Sequence, residues 1–203
     1  NNKNIEFLGN NIYLDKNKEP CFHARSHLLN LNKDCEMVKK SNFILDESTY
    51  LEVFNNINQE YFIDASTCYL NYSKIVAESI KKYSHDIDNI FIIIILRNPY
   101  ERMLSQYYQM KKNGVEEKKF IDALDAEDSR IKNLNHPFFQ YLNYSLYYEN
   151  VKTFLNNFKN VKIVNFEEYN KNQERNKKYP NQINITTNKK TKNFVLYFLF
   201  FLF

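Results

Sequence analysis

The residues best suited to chemistry lie in "FIIIILRNPYERMLSQYYQM", residues 91–110, where a nearly all-apolar run ends on Arg97 and Ser105 follows eight residues later. A guanidinium presents a planar fork of donors that matches a phosphate, and a serine hydroxyl can add one more. Each charge-assisted hydrogen bond of this kind contributes about 1.5–3 kcal/mol. The same spacing also allows a plainer arrangement, with Arg97 paired to an acidic neighbour and Ser105 a small packing residue. A second set, Glu19, His23 and His27, falls at i, i+4 and i+8, the spacing of one helix face and of a metal-ligand row. Pro20 interrupts that stretch and the zinc-hydrolase pattern H-E-x-x-H is not matched, so metal chemistry is disfavoured. Cys21, Cys35 and Cys68 lie far apart with no C-x-x-C pair, and read as buried thiols rather than a disulfide framework or a thiolate metal site.

Arg97 can bind an anion only if its neighbours hold it at an edge. The run before it, "NIFIIIIL", is β-branched without polar alternation, the pattern of a strand covered on both faces in a parallel sheet between helices. A helix is predicted to follow at once, with Asn98 as cap, Pro99 in its first position, Glu101 in its first turn, and Lys111, Lys112 and Gly114 marking its end. Upstream, Asn11 to Leu14 is a short extended candidate. "DESTYLEVFNNI" predicts a helix with Tyr50, Leu51 and Phe54 on one face, and residues 60–66 predict a strand. "YLNYSKIVAESIKKY" predicts a helix with Ile75, Val76, Ile80 and Tyr83 inward. A charged connection spans residues 115–133, and an amphipathic helix, the strand "VKIVNF" and a turn at "EEY" complete the pattern. Alternating strands and helices define an α/β chain with a parallel sheet flanked by helices. In such sheets ligands sit beyond the carboxyl ends of the strands, the edge that Arg97 occupies.

Composition narrows the function classes. The 203 residues suit one domain, and 43% hydrophobic with 16% aromatic residues exclude a disordered chain. A net charge of +4, with acidic and basic residues interspersed, argues against a dedicated nucleic-acid surface but is compatible with small anionic ligands. The motif G-x-x-x-x-G-K-[ST] is absent from the sequence, which disfavours a P-loop kinase or nucleotide hydrolase. The chain opens on Asn1 without a signal-peptide pattern, and the expectation is that an N-terminal part is missing. Residues 194–203, "FVLYFLFFLF", are ten apolar residues, about half of the ~20 needed to span a bilayer. They read as a buried terminal element, an out-of-frame tail or the start of a longer segment, and a membrane anchor is not established.

The motifs resemble a known family. "ILRNPYERMLSQYY" resembles the 3′-phosphate-binding motif of sulfotransferases that use 3′-phosphoadenosine 5′-phosphosulfate, in which an arginine after a central strand and a serine eight residues on bind the nucleotide. "KEPCF" (18–22) resembles the K-E-P-x-F-F signature of the heparan-sulfate-type and bacterial members. "IDASTCYL" (63–70) resembles their G-E-x-S-P-x-Y-L, and "SLYYENVKTFLNNF" followed by "VKIVNFEEY" resembles their helix and strand ending in an F-E-D-type turn. The similarity covers about residues 11–169, which marks 1–169 as a partial sulfotransferase domain and 170–203 as a polar, then apolar, tail. The resemblance implies a P-loop NTPase-like sulfotransferase fold and Arg97 and Ser105 as ligands of the donor nucleotide. It also implies Glu19 as general base toward an acceptor hydroxyl or amine, carbohydrate or other, with Lys18 orienting the acceptor. No metal is implied. Relatives include soluble bacterial enzymes and lumenal Golgi ones, so location stays open between cytoplasm and Golgi lumen.

Departures from the pattern bear on activity. The family's first strand and phosphate loop, of the type G-x-x-K-x-G-T-T, have no counterpart here. Only Gly9 and Gly114 are present, and neither lies in a lysine-bearing loop. Ala65 and Thr67 stand where many relatives carry lysine and proline, and the downstream segment for the nucleotide base is not recognisable in residues 170–203. The expectation is a fragment that does not transfer sulfate at a useful rate by itself. The alternative is a degenerate, non-catalytic sulfotransferase-like binding domain or remnant.

Overall fold

The structure, a computed structural model, describes residues 4–6, 21–41, 43–55, 61–84, 86–175, 182–184 and 194–199. Short β1 (Asn4–Glu6) pairs antiparallel with β5 (Gln182–Asn184). The remaining strands are β2 (Tyr61–Ala65), β3 (Ile90–Leu96), β4 (Asn160–Asn165) and β6 (Phe194–Leu199). They form one parallel sheet in the order β2-β6-β3-β4. Helices α1 (Arg25–Leu28), α2 (Glu36–Lys39) and α3 (Glu47–Asn55) precede β2, and α4 (Ser73–Tyr83) connects β2 to β3. Between β3 and β4 come α5 (Pro99–Lys112), α6 (Phe120–Asp125), α7 (Glu127–Lys132) and α8 (Tyr148–Asn157), and α9 (Phe166–Arg175) follows β4. The sequence expectation of an α/β chain with a helix-flanked parallel sheet agrees with this layout.

β3 is the strand around which the rest is arranged. Ile90, Ile92 and Ile94 pack with Val76, Ala77 and Ile80 of α4 and Val151 and Phe154 of α8. Ile93 and Ile95 point the other way because side chains alternate along a strand, and they are buried as well. Both faces are therefore covered, which is why the run carries no polar alternation. The β2–α4–β3 connection leaves one position open between its two strands, and β6 fills it, with Phe198 opposite Ala65 on one side and Ile93 on the other. The apolar residues 194–199 thus supply a backbone ladder in the middle of the sheet. β4 pairs with β3, and Ile163 on it is 46% exposed.

Several local expectations change in the fold. The charged connection at 115–133 contains α6 and α7, because Ala123 packs into a satellite core and the buried Glu127 carboxylate accepts the N–H groups of Leu142 (2.8 Å) and Asn143 (2.7 Å). The "EEY" turn is instead the opening of α9. In α3 Tyr50 is buried, but Leu51 is 43% exposed rather than inward, because the helix turns Tyr50 toward β2. In α4 the core is made by Val76, Ala77 and Ile80, with Ile75 and Tyr83 only half-buried. The extended candidate Asn11 to Leu14 and the side chain of Phe54 lie outside the described residues. The end of α5 follows its sequence signal: Gly114 takes φ +69°, and the N–H groups of Gly114 and Val115 close back on Lys111 and Met110.

Two substitutions test this core by urea denaturation. Ile94→Ala is expected to cost about 3 kcal/mol, and Ile163→Ala on the exposed position about 1 kcal/mol or less. A proline at Tyr197, which lies inside a strand paired on both sides, removes a ladder hydrogen bond and is expected to destabilise by about 3 kcal/mol or more. Unchanged stability of Tyr197→Pro would show that β6 is not a sheet strand.

Candidate functional site

The carboxyl edge of the sheet gathers the polar residues that follow its strands. Leu96, the last residue of β3, is opposite Asn165, the last of β4, so Arg97 and Phe166 leave the sheet side by side. The Arg97 guanidinium lies 5.4 Å from the centre of the Phe166 ring, within cation–π range. Asn98 fixes the next turn: its Oδ1 accepts the N–H groups of Tyr100 (3.0 Å) and Glu101 (3.2 Å), and its own N–H donates to Glu167 Oε1 at 2.8 Å. That last bond ties the start of α5 to the start of α9 and holds the Glu167 carboxyl below its usual range. Arg97 is a 22% exposed side chain whose Nη2 is 3.5 Å from Glu101 Oε2, on a 55% exposed partner. Ser105, half-buried, lies in the second turn of α5, whereas Arg97 precedes that helix, between the end of β3 and the cap Asn98. The plainer arrangement is therefore partly realised, since Arg97 does meet an acidic neighbour. An exposed pair of that length contributes ~0–1 kcal/mol and can be exchanged for a better anion.

The buried side of α5 is anchored by a residue to which the sequence assigned nothing. Arg102 is buried, donating from Nε to Ser145 Oγ at 2.8 Å and from its terminal nitrogens to Gln106 and the Tyr141 carbonyl. Burial lowers its pKa to about 10, still well protonated at neutral pH.

A second polar cluster sits where β2 ends. Asp64 is fully buried and its Oδ2 accepts the hydroxyls of Tyr50 (2.7 Å) and Tyr69 (2.9 Å), with Ser66 Oγ at 3.5 Å from Oδ1. Ser66 Oγ in turn accepts the N–H of Cys21 at 2.9 Å, and the Tyr69 hydroxyl accepts the N–H of His23 at 3.3 Å. The His23 ring places Nε2 3.1 Å from the Tyr50 hydroxyl and Nδ1 2.9 Å from Ser79 Oγ. Tyr50 donates its proton to Asp64, so Nε2 carries the imidazole proton and Nδ1 accepts from Ser79. Burial, with Arg25 close by, holds the His23 pKa at about 3, while burial pushes Asp64 up to about 6 against the hydrogen bonds of Tyr50, Tyr69 and Ser66. The cluster thus consists of a neutral histidine and a mostly ionised carboxylate at pH 7, shut off from solvent. It holds residues 21–24 against the loop after β2.

The sequence candidates separate accordingly. Arg97 lies at the end of β3 and Ser105 in the second turn of α5, whereas Lys18 and Glu19 lie outside the described residues. The chain is next described at Cys21, two residues beyond Glu19, where its N–H meets Ser66 directly after β2. His23 and His27 do not act together: His23 is bonded to Ser79 and Tyr50, and His27 stacks on Tyr72 with ring centres 4.3 Å apart. Among the described residues no three His, Cys, Asp or Glu side chains converge as a metal-ligand set. Among those same residues no helix is long and apolar enough to cross a membrane.

No family model and no curated protein matches the chain. Among solved structures it is similar to the sulfotransferase from Alicyclobacillus acidocaldarius, with 26% identity and a TM-score of 0.68 over 77% of this chain. It spans 64% of the length of that sulfotransferase. The fold is therefore sulfotransferase-like.

The buried ionisable groups make stability pH-dependent in a defined direction. His23 and His136, both held near a pKa of about 3 by burial, contribute stability that is full above ~6.5 and lost on acidification. Asp64, raised to about 6, has the opposite sign: its contribution is full at low pH and lost as pH rises through 6. Between pH 6 and 4.5 the two histidines outweigh the one carboxyl, and the expected slope is a loss of about 1.4 kcal/mol per pH unit on acidification. Asp64→Asn should roughly double that slope, and His136→Asn, which can still accept the Phe138 N–H, should flatten it. Urea denaturation at several pH values measures both; a stability that rises on acidification would contradict the assignment.

Proposed function

We propose that the chain belongs to an enzyme transferring a sulfuryl group from 3′-phosphoadenosine 5′-phosphosulfate to a hydroxyl or amine acceptor, and that its part is to grip the donor's 3′-phosphate. The supporting observation is the position of Arg97 just beyond the end of a central strand, with Ser105 in the helix that follows, in a sulfotransferase-like fold. The residues fit a phosphate. Arg97 is partly exposed, lies over the Phe166 ring and meets Glu101 in a long pair at 3.5 Å. The Asn98–Glu167 bond fixes the backbone from which it projects, so little ordering is required on binding.

In this reading the acceptor oxygen or nitrogen attacks sulfur, and the bond from sulfur to the phosphate oxygen breaks. The nucleotide bisphosphate leaves with that electron pair. Glu19 receives the acceptor's proton and Lys18 orients the acceptor, roles that rest on the resemblance of "KEPCF". Charge developing on the leaving phosphate needs donors around it, as in phosphoryl transfer. Arg97 and Ser105 address the 3′-phosphate, not the reacting end. The sequence has only Gly9 and Gly114 and no lysine-bearing glycine loop, which favours a second reading in which the domain binds the nucleotide without turning it over.

Calorimetry with adenosine 3′,5′-bisphosphate tests the shared core of both readings. Arg97→Ala should weaken binding by about 10- to 100-fold and Ser105→Ala by about tenfold, whereas Glu19→Gln should leave it unchanged. Failure of the unaltered chain to bind the bisphosphate would remove the nucleotide assignment. With labelled donor and a panel of hydroxyl and amine acceptors, little transfer is expected from this chain alone, and appreciable transfer would discard the binding-only reading. In a longer form that carries out transfer, Glu19→Gln should lower the rate, and an unaltered rate would move the general base elsewhere.

A further inference from the structure

Cys21 and Cys68, 47 positions apart in sequence, bring their Sγ atoms to 2.8 Å. Both side chains are buried, neither is in a disulfide, and Cys35 lies in a different cluster. The approach is held from both sides. The N–H of Cys21 donates to Ser66 and the N–H of His23 to Tyr69, so the residues flanking one cysteine are bonded to the residues flanking the other. Cys21 itself adopts the left-handed backbone, φ 54°, which a non-glycine residue takes at a cost of about 1–2 kcal/mol, and which its neighbours over-determine here. A disulfide bond is about 2.04 Å long, so closing the gap asks for a shift of less than about 1 Å in a region already cross-bonded.

We propose that Cys21 and Cys68 are a disulfide-forming modification site, oxidised by a peroxide. One thiol, as thiolate, attacks a peroxide oxygen to give a sulfenic acid and water. The second thiol's sulfur then displaces the hydroxyl as a further water, forming the S–S bond. Two thiols together lose two protons and two electrons, and hydrogen peroxide takes them up to become two waters. Burial makes the first step depend on local opening of residues 21–24, so the pair reacts more slowly than the half-exposed Cys35 but to a single product. The bond joins the segment that directly follows Lys18 and Glu19 to the loop after β2, and it shortens the freedom of the unfolded chain by closing a long loop. The inference stands on the cysteine geometry and not on the sulfotransferase reading.

The test uses the full chain, folded, treated with hydrogen peroxide, alkylated and digested without reductant. Mass spectrometry should find a Cys21–Cys68 cross-linked peptide, two hydrogens lighter than its reduced parts, with no disulfide between molecules. The melting temperature should rise by ~5–10 °C and return on treatment with dithiothreitol. Cys21→Ser and Cys68→Ser should each abolish the cross-link and the rise, and Cys35→Ser should leave both. Should either serine variant fail to fold, the dithiothreitol-reversible shift of the unaltered chain carries the decision. Sulfinic or sulfonic acids at both positions, links to Cys35 or between molecules, or a Cys21–Cys68 link formed only in urea would each overturn the proposal.

Discussion

The fold depends on giving β3 cover in four directions. Its isoleucines are apolar on both faces, so helices must lie above and below, and its backbone groups need a partner strand on each side. β4 meets one side, in register from Phe91 to Leu96, and β6 meets the other. An unpaired buried ladder would cost more than the hydrophobic contacts around it return, which is why a segment from the far end of the chain lies in the middle of the sheet. Everything at the carboxyl edge inherits its position from that arrangement.

Arg97 stands at the edge that this constraint defines. Parallel strands end together, and their ends place Ser66, Arg97 and Phe166 along one edge without any of the three being near another in sequence. The helix that follows β3 is then held by the Asn98–Glu167 bond at its start and by the buried Arg102 in its first turn. In the proposed function such bracing favours anion binding by Arg97, because the entropy of holding it is lost on folding rather than on binding.

The cluster around Asp64 serves a different purpose from the edge it adjoins. Three hydroxyls point at the carboxylate, one imidazole is kept neutral behind them, and the whole holds residues 21–24 against the loop after β2. Buried polar networks of this type fix one arrangement more than they add stability, since each member left unmatched would be costly. The same fixing brings two cysteines into contact that the sequence separates by 47 positions.

Much of this was legible beforehand where the signal was local. The isoleucine run, the Asn98–Pro99 start and the Gly114 stop of α5, and the strand at 61–65 each follow from neighbours a few residues away, so periodicity and capping were enough. The short helices within 115–133 were missed because their stabilisation comes from distant partners such as Leu142 and Asn143, and the helix at 166–175 was read as a turn although Asn165 caps it locally. The spacing of Arg97 and Ser105 was readable, and so was the chance of an acidic neighbour. By itself the sequence determined that an arginine stands at the end of a two-sided buried strand, because apolar pattern and cap chemistry are properties of adjacent residues. Only the tertiary structure decided that β6 lies between β2 and β3, that Glu167 braces Asn98, and that Cys21 touches Cys68. Those contacts join residues whose separation along the chain carries no information about distance in space.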